Sequence, residues 1–182
     1  MTETLFRTFA ASDLEVRATG RTIVGWAARF NEPTLIGGDH GYTETIPHGA
    51  FARTIAERGN RVKVLRGHDD RAPIGRASLL REDPQGLWAE LKISATAAGD
   101  DVLELARDGV LDLSIGFVPV PAADRWSQDR SKVTRGEIRL LEISTVALAA
   151  QDNSRVVGVR SLNPPTFSVA LARRRALLEG AI

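Results

Sequence analysis

Leu111-Asp112-Leu113-Ser114-Ile115-Gly116-Phe117-Val118-Pro119-Val120 reads as a strand, and its alternation decides how the chain folds. Side chains on a strand point to opposite faces in turn. Leu113, Ile115 and Phe117 therefore share an apolar face, while Ser114 and Gly116 share the other. A second strand is expected over residues 137–149. The polar stretch between the two, 122–136, reads as a long exposed hairpin loop. Working upstream, Gly109 closes a helix carrying Val102, Leu105 and Ala106 on one face, with Thr96 or Asp100 as its cap. Before that helix, Asp83-Pro84-Gln85-Gly86 is a turn joining strands at about 77–81 and 87–93.

The N-terminal half continues the pattern. Residues 14–30 are strand-like, and 31–42 are rich in Gly, Pro and Asp and read as a loop. A short helix is expected over about 50–58, with Phe51 and Ile55 four apart and Gly59-Asn60 as its stop. A strand at 62–65 runs into Gly67-His68-Asp69-Asp70. Near the C-terminus, 156–159 reads as a last strand. After Pro164-Pro165 the tail turns helical, with Leu171, Leu177 and Leu178 beside Arg173-Arg174-Arg175. The sum is a β-rich α+β chain, organised as a domain over 1–162 and a tail over 163–182.

Composition narrows the functional classes. The 182 residues suit one domain with a real core, and the 43% hydrophobic fraction is ordinary for a globular protein. With 24 Lys and Arg against 23 Asp and Glu, the net charge of +1 gives no electrostatic reason to expect nucleic acid. The absence of cysteine removes disulfides, thiol nucleophiles and Cys-based zinc sites together. No apolar run has the length of a membrane span, and Met1-Thr2-Glu3-Thr4 lacks a signal-peptide layout. A soluble, intracellular protein is the expectation.

Three residues stand out as chemistry. Of the three histidines, His40 sits in the Gly-rich loop and His48 beside Pro47, both as surface residues, whereas His68 follows Gly67 at a strand end. His68 is either a solvated turn residue or a general base. Ser114, on the face opposite the apolar one, is either an ordinary strand serine or a nucleophile in an open cleft, with Gly116 leaving room for a substrate backbone. Glu142 falls in a row with Ile138, Leu140, Ser144 and Val146, so period two embeds its carboxylate among apolar neighbours. A buried carboxylate needs a partner: an arginine, or an imidazole that it holds in one tautomer. A metal site built on His68, Asp69, Asp70, Asp39 and His40 is disfavoured, because adjacent residues at a strand end point different ways.

Seven pieces in order resemble the tailed-phage prohead proteases. They are Gly25-Trp26-Ala27-Ala28-Arg29-Phe30, Ile46-Pro47-His48-Gly49-Ala50-Phe51, Leu65-Arg66-Gly67-His68-Asp69, Pro73-Ile74-Gly75, Gly86-Leu87, Gly109 through Phe117, and Leu141-Glu142-Ile143-Ser144. The resemblance implies a serine endopeptidase related in fold to herpesvirus assemblin, a compact β-barrel of antiparallel strands ringed by a few helices. It assigns His68 as base, Ser114 as nucleophile and Glu142 as third member, where assemblin has a second histidine. It implies no metal and no organic cofactor. The implied partners are the major capsid protein and its scaffolding segment, cut in the host cytoplasm inside the assembling prohead of a phage or gene transfer agent, with self-cleavage as well. Self-association is expected because assemblin-like enzymes act as dimers; neither nucleic acid nor membrane is implied. Two departures are visible: Leu148-Ala149-Ala150 stands where the family often has Phe-Pro-Ala, and no arginine pair follows Glu142 to bind an oxyanion. Backbone N–H groups are then the expected oxyanion donors. The competing expectation is a non-catalytic β-barrel assembly module, in which Ser114 and His68 would lie far apart.

Overall fold

Twelve strands and two α-helices follow one another along the described residues of the computed structural model, which are 4–9, 14–17, 20–37 and 41–147. In chain order they are β1 (Leu5–Phe9), β2 (Glu15–Val16), β3 (Thr22–Arg29), β4 (Thr34–Ile36), β5 (Tyr42–Thr45), α1 (Ala52–Arg58), β6 (Lys63–Arg66), β7 (Asp69–Asp83), β8 (Gly86–Ile93), α2 (Ala97–Arg107), β9 (Asp112–Pro119), β10 (Asp124–Trp126), β11 (Lys132–Arg135) and β12 (Ile138–Val146). Asp39, His40, the expected strand at 156–159, the boundary at 162 and the tail at 163–182 lie outside the described residues. Among the described residues no helix is long and apolar enough to cross a membrane.

Eight strands form one sheet in the order β1-β9-β12-β6-β7-β8-β3-β2, and β10-β11-β5-β4 form a second. The large sheet is a curled, open half-barrel, not the closed antiparallel barrel expected. Its edges, β1 and β2, are not hydrogen-bonded to each other. Bulges at Ala27, Ser78 and Leu141 interrupt the β3–β8, β7–β8 and β12–β9 ladders. Each extra residue bends its strand and increases local twist, which curls the sheet around its core. That core includes Ile23, Val64, Ile74, Leu91, Leu113, Ile115, Phe117 and Ile143, each at most 1% exposed.

Both sheets are mixed: β12 runs parallel to β6 in the large one, and β11 parallel to β5 in the small one. Helix α1 explains the first of these. Ile138 N–H donates to Ala50 O at 3.0 Å, and Thr54 Oγ1 donates to Ile138 O at 3.3 Å. Thr54 Oγ1 also accepts from Leu140 N–H at 3.2 Å, and Arg58 reaches Leu141 O at 3.2 Å. The helix thus tracks β12 in the same direction, and the chain leaving it as β6 keeps that direction.

Several local expectations change for physical reasons. Helix α1 ends at Arg58, where Gly59 was expected to stop it, but Gly59 has φ −49° and the chain continues through a 3₁₀ turn, Gly59–Arg61. Thr96, not Asp100, caps α2, accepting from Gly99 N–H at 3.1 Å. The presumed loops at 31–42 and 122–136 contribute β4, β10 and β11 to the small sheet. Buried charge ties that sheet together: Glu44 (2% exposed) accepts from Arg135 Nε at 2.7 Å, and Arg135 also pairs with Asp124. Burial pushes the Asp124 carboxyl above its usual range, with Arg135 opposing the shift.

Thr54 is 3% exposed and joins α1 to the start of β12. Thr54→Val keeps the shape but leaves Leu140 N–H and Ile138 O short of a partner, and a buried unsatisfied group costs about 1–3 kcal/mol. Urea unfolding should register a loss of that size; an unchanged midpoint would show that the hydroxyl does not hold β12.

Candidate active site

His68 is placed by a two-residue turn. Arg66 pairs with Asp69 across the β6–β7 hairpin, and between them Gly67 and His68 have φ of +61° and +62°. Two consecutive left-handed residues suit the twist of a tight hairpin, and glycine supplies the first without steric cost. A histidine in the second costs something of order 1–3 kcal/mol unless its surroundings hold it. They do so: His68 N–H donates to Ser144 Oγ at 3.0 Å, and Gly67 N–H donates to Thr145 O at 3.0 Å. The turn is thereby folded back over β12, with Gly67 exposed and the His68 ring turned inward.

Ser114 and Glu142 reach the same place from adjacent strands. In the β9–β12 ladder, Ser144 pairs with Ser114 and Glu142 with Gly116. The bulge at Leu141 is what puts Glu142 on this face. Ile138 and Leu140 point into the core, and simple alternation would have placed Glu142 with them. With one residue inserted, Ile143 takes over the core face while Glu142 and Ser144 turn to join Ser114 and Gly116. The single row of Ile138, Leu140, Glu142, Ser144 and Val146 expected from period two is therefore broken in the middle.

The three side chains meet through one ring. His68 Nε2 lies 2.8 Å from Ser114 Oγ, and His68 Nδ1 lies 2.7 Å from Glu142 Oε1. An ionised carboxylate only accepts hydrogen bonds, so Nδ1 carries the proton and Nε2 of the neutral ring is left as an acceptor facing the serine. Glu142 is 7% exposed, and its second oxygen accepts from Ser144 Oγ at 2.6 Å. Both carboxylate oxygens are thus engaged, which is what makes a carboxylate tolerable in so dry a place. This arrangement can hold an imidazole in one tautomer and offer it a serine proton.

Gly116 has a different role from the one expected. A Cβ there would lie 2.2 Å from Glu142 Oε1 and 3.0 Å from its carboxyl carbon. The missing side chain makes room for the carboxylate, not for a substrate. Ser114 is also not in an open cleft: it is 0% exposed. Strand β1, which sequence reading did not identify, pairs with β9 and sets Thr8 opposite Ser114. Thr8 Oγ1 donates to Ser114 Oγ at 3.0 Å, Arg7 O lies 3.1 Å from that oxygen, and the Phe6 ring sits 4.3 Å from the His68 ring. The run Leu5-Phe6-Arg7-Thr8-Phe9 carries no period-two signal for this strand, since its apolar residues fall at 5, 6 and 9. Ser144 was likewise missed, since a serine two residues after an acid carries no pattern of its own.

The other candidates stay apart from this centre. His48 is exposed, edge-on to Phe30 at 5.6 Å, and Asp69 pairs with Arg71 at 3.1 Å on the surface. Among the described residues, no group of three or more His, Asp and Glu side chains is placed to hold a metal ion.

The chain belongs to the Caudovirus prohead serine protease family, whose profile matches residues 9–164. Among solved structures it is similar to the capsid assembly protease of bacteriophage T4, gp21. The two superpose with a TM-score of 0.59 over 79% of this chain and 97% of that one, at 11% identity. At so low an identity the likeness concerns the fold alone. No curated protein matches the chain in sequence. Membership of the family supports a protease role in capsid maturation.

Gly116→Ala should force the Glu142 carboxylate off His68. In the parent protein the carboxylate shields the Nδ1 proton from exchange, so its resonance should be visible far downfield by proton NMR. The variant should lose that signal while keeping the dispersed amide spectrum of a folded chain. Retention of the signal would show that Glu142 can be accommodated elsewhere without losing the ring.

Proposed function

We propose that this protein is a serine endopeptidase that cuts scaffolding segments during prohead maturation, with Ser114 as nucleophile, His68 as general base and Glu142 as the third member. The observation that carries the reading is a single imidazole within 2.8 Å of a serine oxygen on one side and 2.7 Å of a carboxylate on the other. Family membership makes hydrolysis of a peptide bond the chemistry to which that geometry is applied.

His68 Nε2 takes the Ser114 proton as Oγ attacks the scissile carbonyl carbon. The ring becomes an imidazolium, whose charge Glu142 offsets at Nδ1. His68 then gives the proton to the leaving amine, which departs as a free N-terminus and leaves an acyl-serine. Water repeats the sequence to release the acid and restore Ser114. Ser144 acts through the others, steadying the Glu142 carboxylate with its hydroxyl and the His68 backbone with its oxygen. No step needs a metal or an organic cofactor.

The substrate in this reading is the scaffolding part of the major capsid protein or a separate scaffold, met inside the immature shell in the host cytoplasm. Self-cleavage belongs to the same proposal, with 163–182 as the segment for packaging or removal. So do self-association and a fold relationship to herpesvirus assemblin, in which Glu142 stands in for a second histidine. The rival reading, a non-catalytic assembly module, draws on the complete burial of Ser114. It leaves unexplained why a buried carboxylate, an imidazole and a hydroxyl should be lined up in that order.

Scaffold cleavage by purified chain should fall by a factor of about 10⁶ in Ser114→Ala, the scale of losing a nucleophile, with the thermal melt nearly unchanged. Cleavage by Ser114→Ala at the parent rate would remove the assignment. Glu142→Gln, which cannot accept from Nδ1 in the same way, should lose about 10²–10⁴-fold in kcat. Ser144→Ala should lose about tenfold, as expected for one hydrogen bond to a charged group. Equal losses in these last two would make Glu142 a mere prop for Ser144.

A further inference from the structure

Strand β9 has two edges. One is taken by β12 and the other by β1. A peptide that is to be cut by Ser114 has to bring a carbonyl to Ser114 Oγ, and the carbonyl oxygen of Arg7 is already there, 3.1 Å away. The Ser114 hydroxyl has one proton and two acceptors within reach, Arg7 O and His68 Nε2 at 2.8 Å. Whenever it points to Arg7 O, it does not point to the base. The Phe6 ring, itself 45% exposed, packs tilted against the His68 ring with centroids 4.3 Å apart.

Resting on the peptidase reading above, we propose that β1 occupies the substrate's own track, and that an extended peptide must displace it and pair with β9 in its place. Adding a strand to a sheet edge is a general way of binding an extended peptide, with backbone bonds for affinity and side-chain contacts for selectivity. The antiparallel register of β1 supplies the template: Phe6 opposite Gly116, Arg7 opposite Ile115 and Thr8 opposite Ser114. Selectivity follows from Arg7. Its Nε donates to Glu44 Oε1 at 2.6 Å, and Glu44 is otherwise enclosed with Arg135 on its second oxygen. When β1 leaves, Glu44 Oε1 faces the vacated track, so the site takes a basic residue in the peptide position that Arg7 now fills. Arg7 is held incompletely, since its NH2 group is buried without a hydrogen-bond partner among the described residues. An internal occupant seated this way blocks the site yet can be exchanged for a better-fitting strand.

The test is the rate at which a fluorophosphonate labels Ser114 in the full chain, mapped by mass spectrometry, for the parent, Phe6→Ala, Arg7→Gln and the double variant. Loosening β1 should raise the rate by about tenfold or more, as expected when the open state is the minor one. A synthetic peptide of sequence Thr-Leu-Phe-Arg-Thr-Phe should slow labelling of the loosened variants competitively, and its Arg→Gln form should do so less well. Phe6 lies outside the core, so Phe6→Ala gives a folded variant even where Arg7→Gln does not; circular dichroism checks both. Ser114 labelling at one common rate in parent and folded variants would overturn the displacement proposal and leave the peptidase reading standing. Equal inhibition by the two peptides would overturn the role of Glu44. No labelling of any folded variant, with the scaffold uncut, would overturn the peptidase reading itself and the displacement proposal with it.

Discussion

A buried carboxylate organises this molecule. Glu142 lies 7% exposed between two strands, and a carboxylate in so dry a place persists only with its oxygens occupied. One oxygen takes the His68 ring and the other takes Ser144. The rest of the site follows from satisfying it. Gly116 must lack a side chain because the carboxylate fills that space. The β6–β7 turn must accept a left-handed histidine because only that turn brings the ring between the acid and the serine. Ser144 serves both ends, holding the acid with its hydroxyl and the turn with its oxygen.

The sheet is built to deliver these groups. Parallel pairing of β12 with β6 sets Ser144 beside Leu65 and Thr145 beside Arg66, so the turn that follows β6 emerges where the acid and serine lie. Antiparallel pairing of β12 with β9 puts Ser114 next to Ser144. The Leu141 bulge then changes the face on which Glu142 appears. Without it, the acid would enter the core among Leu140 and Phe117, where no partner waits. Bulges beside functional sites commonly re-aim a side chain, and here the re-aiming and the curl of the sheet come from the same kind of irregularity.

Much of this was legible in the residues, though unevenly. The β7–β8 hairpin, α2 and the strands β9 and β12 could be read from periodicity and turn chemistry, because each is a local pattern. The three central residues were legible because few residue types can do the work and because the motif order resembles a known family. The parallel pairings were not legible, since they depend on α1 running alongside a strand some eighty positions away. Nor was the bulge: the doublet Leu140-Leu141 interrupts the alternation of Ile138 and Leu140, but a doublet does not by itself say which face the following acid takes. The closed barrel failed for a related reason, as closure depends on whether the two edge strands meet. Strand β1 was not legible either, because the apolar residues of Leu5-Phe6-Arg7-Thr8-Phe9 fall at 5, 6 and 9 and keep no period of two. Its omission hid the main departure from expectation, a nucleophile candidate covered by its own chain.

The most direct test is a crystal structure of the chain with a peptidyl boronate, a reagent that becomes tetrahedral when a serine oxygen adds to boron. The account predicts a bond from Ser114 Oγ to boron, with the His68 ring still between it and Glu142. A boronate bound elsewhere, or Ser114 left unmodified beneath an undisturbed ring in a saturated crystal, would contradict it.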